Sequence, residues 1–197
     1  MSVLKLCRVI ILGKTDTGKT SIVMCRNGVS ITLIRPEQTT FIETYVFDRS
    51  ENESTTTYLI DMPGSVSTKT IETYLRDANA VLLVYNCISP DSYHYIFKTL
   101  EPVLRKFSHL KIILVATFID LQHMQHHAQH LPTMNGSEEA KCRGWDYYEV
   151  TYKKPHVISQ MFQQIESELL TQNNFTSIIR KSKECGECGV FSCCRKR

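Results

Sequence analysis

Eight residues constrain this chain more than any others: Gly13-Lys14-Thr15-Asp16-Thr17-Gly18-Lys19-Thr20, which fit the pattern GxxxxGK[ST]. They stand between an apolar run, Leu4 to Leu12, that reads as a buried strand, and a stretch from Thr20 to Arg26 that reads as the opening of a helix. A strand that breaks at glycines and re-enters as a helix gathers backbone N–H groups, a helix N-terminus and one lysine around a single point, where a phosphate fits. In that geometry Lys19 reaches the β- and γ-phosphates and the Thr20 hydroxyl ligates Mg²⁺. The loop alone does not separate a GTPase from an ATPase or a nucleoside kinase.

The rest of the chain supplies an α/β frame for this loop. Phe41 to Phe47 alternates apolar and polar, Ser50 to Glu53 reads as a turn and Ser54 to Ile60 is β-branched-rich, so the pair is expected to form a hairpin. Ala80 to Tyr85 and Lys111 to Ala116 are short continuous apolar runs of the kind buried on both faces of a parallel sheet. Ser89-Pro90-Asp91 starts a helix expected to run to about Phe107, bent at Pro102. His156 to Thr171 carries Val157, Met161, Ile165 and Leu169 on one helical face. The expectation is a three-layer fold with about six strands, mostly parallel, one antiparallel edge strand, and helices on both faces. With 197 residues, 42% of them hydrophobic, one domain over 1–172 and a flexible tail over 173–197 use up the chain.

Charge and composition narrow the classes. A net charge of +3 with no basic stripe in the first 170 positions does not suit a nucleic-acid binder. Met1 to Leu6 lacks the pattern of a secretory signal, and no run approaches the roughly 18 apolar residues of a membrane span. The expected location is the cytosol, with any membrane contact made by attachment. Eight cysteines do not form a disulfide framework, because Cys7, Cys25, Cys87 and Cys142 are scattered and Cys185, Cys188, Cys193 and Cys194 crowd the end.

A second motif bears on the nucleotide. Asp61-Met62-Pro63-Gly64 follows an apolar strand as DxxG, where the aspartate holds the Mg²⁺ shell and the glycine N–H meets the γ-phosphate. Thr40 lies in the loop between the two motifs, where its hydroxyl is expected to close over the metal, with Thr39 as the competing candidate.

Taken in order, LGKTDTGKTS (ending at Ser21), QTTF, IDMPG, YLRDANAVLLVYNCISPDSY, LVATFIDL, EVTYK and a terminal CC resemble the Rab family of small GTPases over nearly the whole length. Within that family the chain is most similar to the atypical subfamily twenty-four. The resemblance implies a GTP/GDP-binding switch in vesicle or membrane traffic, with Mg²⁺ as cofactor. It also implies effectors, an exchange factor, a GAP and a prenyl-binding escort as partners. It assigns nucleotide contacts to Gly13, Thr15, Asp16, Thr17, Gly18, Lys19, Thr20, Ser21, Thr40, Asp61, Gly64, Thr117, Phe118, Asp120, Thr151, Tyr152 and Lys153. Thr20, Thr40 and Asp61 would hold the metal, and Lys19, Gly64 and Ser65 stand where the family catalyses.

The departures from the family pattern are specific. Ser65 replaces the glutamine that orients the attacking water, so hydrolysis is expected to be slow. The base motif NKxD stands as Thr117-Phe118-Ile119-Asp120: Asp120 keeps the carboxylate that selects guanine, while the asparagine's bracing and the lysine's stem over the ring are expected to be lost. Phe118 is a candidate to replace that stem by stacking. The family's ETSAK is Glu149-Val150-Thr151-Tyr152-Lys153, where the Tyr152 N–H meets the guanine oxygen and Lys153 braces the loop, with the bulk of Tyr152 expected to disturb its shape. Asp16 sets a carboxylate in the phosphate loop, where repulsion is expected to weaken binding. The helix before the last strand is expected to be shortened by about one turn.

Cys193 and Cys194 resemble the paired cysteines on which Rabs carry two geranylgeranyl groups; two chains anchor stably where one does not. Arg180, Lys181, Lys183 and the last three residues would add attraction to anionic lipid on the cytosolic face of an endomembrane. A zinc site on Cys185 and Cys188 with the final pair, and a metal site on His123, His126, His127 and His130, are the less favoured readings of those residues. Three classes stay open: a slow switch, a membrane-tethered pseudo-GTPase that does not cycle, and a soluble P-loop kinase or DxPG-type GTPase of the plant-immunity-associated kind suggested by Pro63.

Overall fold

The computed structural model describes residues 3–29, 39–49, 55–121, 135–171 and 176–179. Its centre is β1 (Val3–Leu12), flanked in parallel by β3 (Thr55–Asp61) and β4 (Ala80–Asn86), with β5 (Lys111–Thr117) and β6 (Asp146–Glu149) continuing the parallel series. β2 (Glu43–Arg49) closes the other edge antiparallel to β3, giving the order β2-β3-β1-β4-β5-β6. The hairpin and the parallel runs therefore form as expected. The expected turn at Ser50–Glu53 lies outside the described residues.

Alternation along the strands sorts the core into two layers. Ile10 and Leu12 of β1 join Val81, Leu83 and Tyr85 of β4 on one face. Cys7, Val9 and Ile11 join Ala80, Leu82 and Val84 on the other. The first face packs against α2 (Thr68–Leu75), α3 (Pro90–Tyr95), α4 (Glu101–Leu104) and α5 (Gly136–Arg143). The second packs against α1 (Lys19–Arg26) and α6 (Pro155–Thr171), whose Met161, Ile165 and Leu169 are buried as their spacing requires. Arg26 ties this second layer together, pairing with Glu166 at 3.0 Å under the rings of Phe47 and Phe162.

Local deviations have identifiable causes. The helix starting at Pro90 is capped by Ser89, whose hydroxyl accepts from the Ser92 N–H. Between α3 and α4 it widens into a π-turn at Ile96–Leu100, with the Glu101 N–H reaching back to Ile96 O. Pro102 follows directly and has no N–H to continue the regular ladder, so the expected bend takes the form of this turn. α5 is eight residues long, from Asn135 as N-cap to Gly144 in the left-handed region at φ 67°.

One element departs from expectation. Thr176–Ile179, placed by the sequence reading in a polar tail, forms β7 and pairs antiparallel with Val3–Leu6 of β1. β4 pairs β1 only from Val9 onward, so the N-terminal half of β1 keeps an open edge on that side, and β7 fills it. The tail cysteines Cys185, Cys188, Cys193 and Cys194 and the histidines at 123, 126, 127 and 130 lie outside the described residues.

Candidate nucleotide site

Three chain segments converge at the C-terminal ends of β1 and β3. The loop after β1 wraps back so that Lys19, 6% exposed, donates from Nζ to the Lys14 carbonyl at 2.8 Å. Burial lowers the Lys19 pKa, while Asp61 and Asp16 pull it up. A buried ammonium held by one neutral carbonyl is a site for an anion. Gly18 ends the loop at φ 84° and gives α1 no side-chain cap, so the first N–H groups of the helix are left to a ligand. Gly13 and Gly64 are required by space: a Cβ would fall 2.2 Å from Val84 O at the first, and 2.2 Å from Thr15 N at the second.

Thr20 donates to Asp61 Oδ2 at 2.7 Å, and Thr39 Oγ1 lies 2.5 Å from Thr20 Oγ1. Thr39, not Thr40, thus joins this cluster, and Thr40 is exposed. The close hydroxyl pair with Thr20 is made by Thr39, the competing candidate for the place expected of Thr40. Burial raises the Asp61 pKa, against the bonds from Thr20 and the charge of Lys19. Its other oxygen, Oδ1, is buried without a hydrogen-bond partner among the described residues. Two hydroxyls and a carboxylate with an orphaned oxygen form the hard-oxygen donor set that suits Mg²⁺, and a divalent cation would relieve the buried charge.

Two features of the phosphate loop were not legible in the motif. Asp16 adopts the left-handed region at φ 62°, which aspartate tolerates, and it is exposed. Solvent screening weakens its repulsion, so the expected penalty on binding is smaller than a buried carboxylate would impose. Lys14 forms an ion pair with Asp91 at the start of α3. No local pattern links two residues 77 positions apart.

At the far end, the bracing expected to vanish with the family asparagine is present in another form. The Thr117 hydroxyl lies 2.8 Å from Thr17 O and 2.9 Å from Tyr85 O, tying β5 to the phosphate loop and to β4. Phe118 sits at φ 59°, a strained conformation for an aromatic residue. There its ring lies over Gly18 and meets the Tyr152 ring edge-on at 6.5 Å.

Asp120 accepts from Thr151 Oγ1 at 2.9 Å and pairs with Lys153 Nζ at 2.8 Å. Burial works against its charge, but Lys153 and Thr151 outweigh that and hold the carboxyl below its ordinary range. The loop keeps a tight turn, with the Lys154 N–H on Thr151 O at 3.1 Å, so the bulk of Tyr152 does not break it. Gly18, Ser21, Thr117, Phe118, Thr151 and Tyr152 are among the residues that line one small hollow, together with the apolar side chains of Ile22, Val150 and Ile158. Ser65 lies away from these contacts, exposed in the turn closed by the Val66 N–H on Pro63 O at 3.1 Å.

The sequence model of the Ras family matches residues 8–171. Ras-related protein Rab-17 of Mus musculus is 25% identical over 176 residues, which cover 88% of this chain and 80% of that protein. The mostly parallel sheet with its antiparallel edge strand β2, the loop around Lys19 and the Thr20–Asp61 pair agree with that match, and the chain belongs to the Ras family of small GTPases, with a Rab-like sequence.

Proposed function

We propose that this chain is a GTP/GDP switch of membrane traffic that hydrolyses GTP slowly. The observation that carries the reading is the cluster of Lys19, Thr20, Thr39 and Asp61, assembled beside a turn in which Ser65 offers only a short side chain. With nucleotide bound, Thr39 would hold the metal together with Thr20 and Asp61, the Gly64 N–H would meet the γ-phosphate, and Lys19 would neutralise charge that develops on it. Mg²⁺ would supply charge neutralisation there when bound.

Hydrolysis needs a positioned water, and a serine hydroxyl does not reach where a glutamine amide would. Phe118 covers the base in place of a lysine stem, and Asp120, fixed by Thr151 and Lys153, accepts from the guanine edge. Effectors meet the exposed apolar side chains beside the switch loops: Phe41, Val46 and Tyr74 are 78%, 55% and 37% exposed. Cys193 and Cys194 carry the lipid that places the switch on an endomembrane, consistent with the absence, among described residues, of any helix long and apolar enough to cross a membrane.

The test is Ser65→Gln in single-turnover hydrolysis of preloaded GTP at saturating Mg²⁺. The rate should rise by about tenfold or more with nucleotide affinity nearly unchanged, because the side chain acts on the water. An unchanged rate, with no nucleotide retained by the purified protein, would favour the non-cycling module instead. The left-handed Phe118, which already packs over the loop, is the observation on that side.

A further inference from the structure

One edge of β1 is divided between two partners. β4 pairs with it from Val9 onward, and just ahead of β4 Asn79 takes both backbone groups of Arg8: the Arg8 N–H donates to Asn79 Oδ1 at 2.7 Å, and the Asn79 N–H donates to Arg8 O at 2.8 Å. From Leu6 back to Val3 the same edge belongs to β7, with Thr176 opposite Leu6 and Ile179 opposite Val3. Backbone groups that β4 does not reach are thus paired by the C-terminal segment.

The approach to this edge is fixed from the other side. Leu169 is buried, and Glu168 pairs with Lys111 at 2.5 Å, which holds the last turn of α6 against the start of β5. Only residues 172–175 separate α6 from β7, so the strand meets β1 as an intramolecular partner at small loop-closure cost. Because β7 runs against β1, the chain leaves it beside Val3, about 30 Å along β1 from Leu12 and the phosphate loop.

We propose that the Val3–Leu6 edge is a binding site for the chain's own C-terminal segment, and that β7 docked there shortens the tether between the domain and the lipid-bearing Cys193 and Cys194. The tether rests on the lipid-anchor reading above. Counted from Thr171, Cys193 reaches roughly 75 Å at full extension; counted from Ile179, it reaches roughly 50 Å. Docked, β7 keeps the domain near the bilayer with the Val3 end toward it. Released, it lets the domain move outward. A pairing of four residues at an edge is a weak contact, which suits a latch that opens.

Hydrogen exchange on the full chain without lipid tests the docking. Alternate amides of Thr176–Ile179, and the β7-facing amides of Val3–Leu6, should exchange about tenfold or more below the unstructured rate. Ser177→Pro combined with Ile178→Pro removes the N–H of two adjacent residues, one of which faces β1. Both segments should then lose protection together, while Val9–Leu12 stay protected and the thermal midpoint moves by only a few degrees. Parent amides at Thr176–Ile179 that exchange at the unstructured rate overturn the proposal and leave the lipid-anchor reading intact. The tether is read on the chain lipidated at Cys193 and Cys194 and bound to phosphatidylcholine vesicles carrying a dansyl lipid, with Trp145, the single tryptophan, as energy donor. Transfer should fall by about twofold in the proline variant, and equal transfer from both proteins overturns the shortened tether. If neither protein attaches, the anchor reading and the tether fall together, and the exchange result alone decides whether β7 docks.

Discussion

The two ends of the nucleotide site have diverged to different degrees. At the phosphate end Gly13, Gly18, Lys19, Thr20, Asp61 and Gly64 all stand as the motifs require, and the structure brings them together. At the base end Thr117 and Phe118 replace the family's asparagine and lysine, and the contacts are remade with other groups. The difference follows from what each end must do. A triphosphate with a metal needs a buried cation, oxygen ligands at fixed places and backbone close enough to exclude any Cβ, and few residue types satisfy those needs. A purine needs a flat apolar lid and one well-held carboxylate. On the proposed reading the Phe118 ring is that lid, while the Thr117 hydroxyl braces the phosphate loop through Thr17 O.

The largest expected effect tests the rigid end. Lys19→Ala should weaken GTP and GDP by about a hundredfold or more in a titration with labelled nucleotide, since the loop then has no buried cation for the β- and γ-phosphates. A loss below about threefold would mean that the phosphate end carries less of the binding than its geometry implies. At the other end Asp120→Ala should erase the preference for GTP over ATP in a competition assay while ATP binding stays nearly constant, because the phosphate contacts are untouched. Equal losses for both nucleotides would show that Asp120 mainly holds the loop through Thr151 and Lys153.

The smallest effect sharpens the comparison. Phe118→Asn places a residue that tolerates positive φ at the strained position, relieving about 1 kcal/mol of backbone strain while giving up the ring's packing. GTP affinity should fall by about threefold to tenfold, with the thermal midpoint shifted by only a few degrees. A large drop in the midpoint would make Phe118 a core residue first and a base lid second.

Legibility in the sequence followed the same divide. The strands at Val3–Leu12, Ala80–Asn86 and Lys111–Thr117 announce themselves as apolar runs, and the phosphate loop as spaced glycines with a lysine. Each of these signals is local, set by burial on both faces or by the backbone's approach to phosphate. Thr39 and Thr40 were not separable, because adjacent threonines have the same chemistry and only the path of the loop decides which hydroxyl turns inward. The Lys14–Asp91 pair and the Arg26–Glu166 pair, the latter spanning 140 positions, leave no local pattern at all.

By itself, then, the sequence determined the sheet's parallel core and the glycine-spaced loop around Lys19, because periodicity and glycine spacing act over a few residues. Tertiary structure decided what the substitutions mean. It turned the Thr117 hydroxyl onto the phosphate loop, set Phe118 over Gly18, and brought Lys153 onto Asp120. It also laid Thr176–Ile179 along the open edge of β1, where unpaired backbone groups outweigh the segment's weak strand pattern. A side chain's role depends on which of its faces meets a partner, and residues distant in sequence supply those partners.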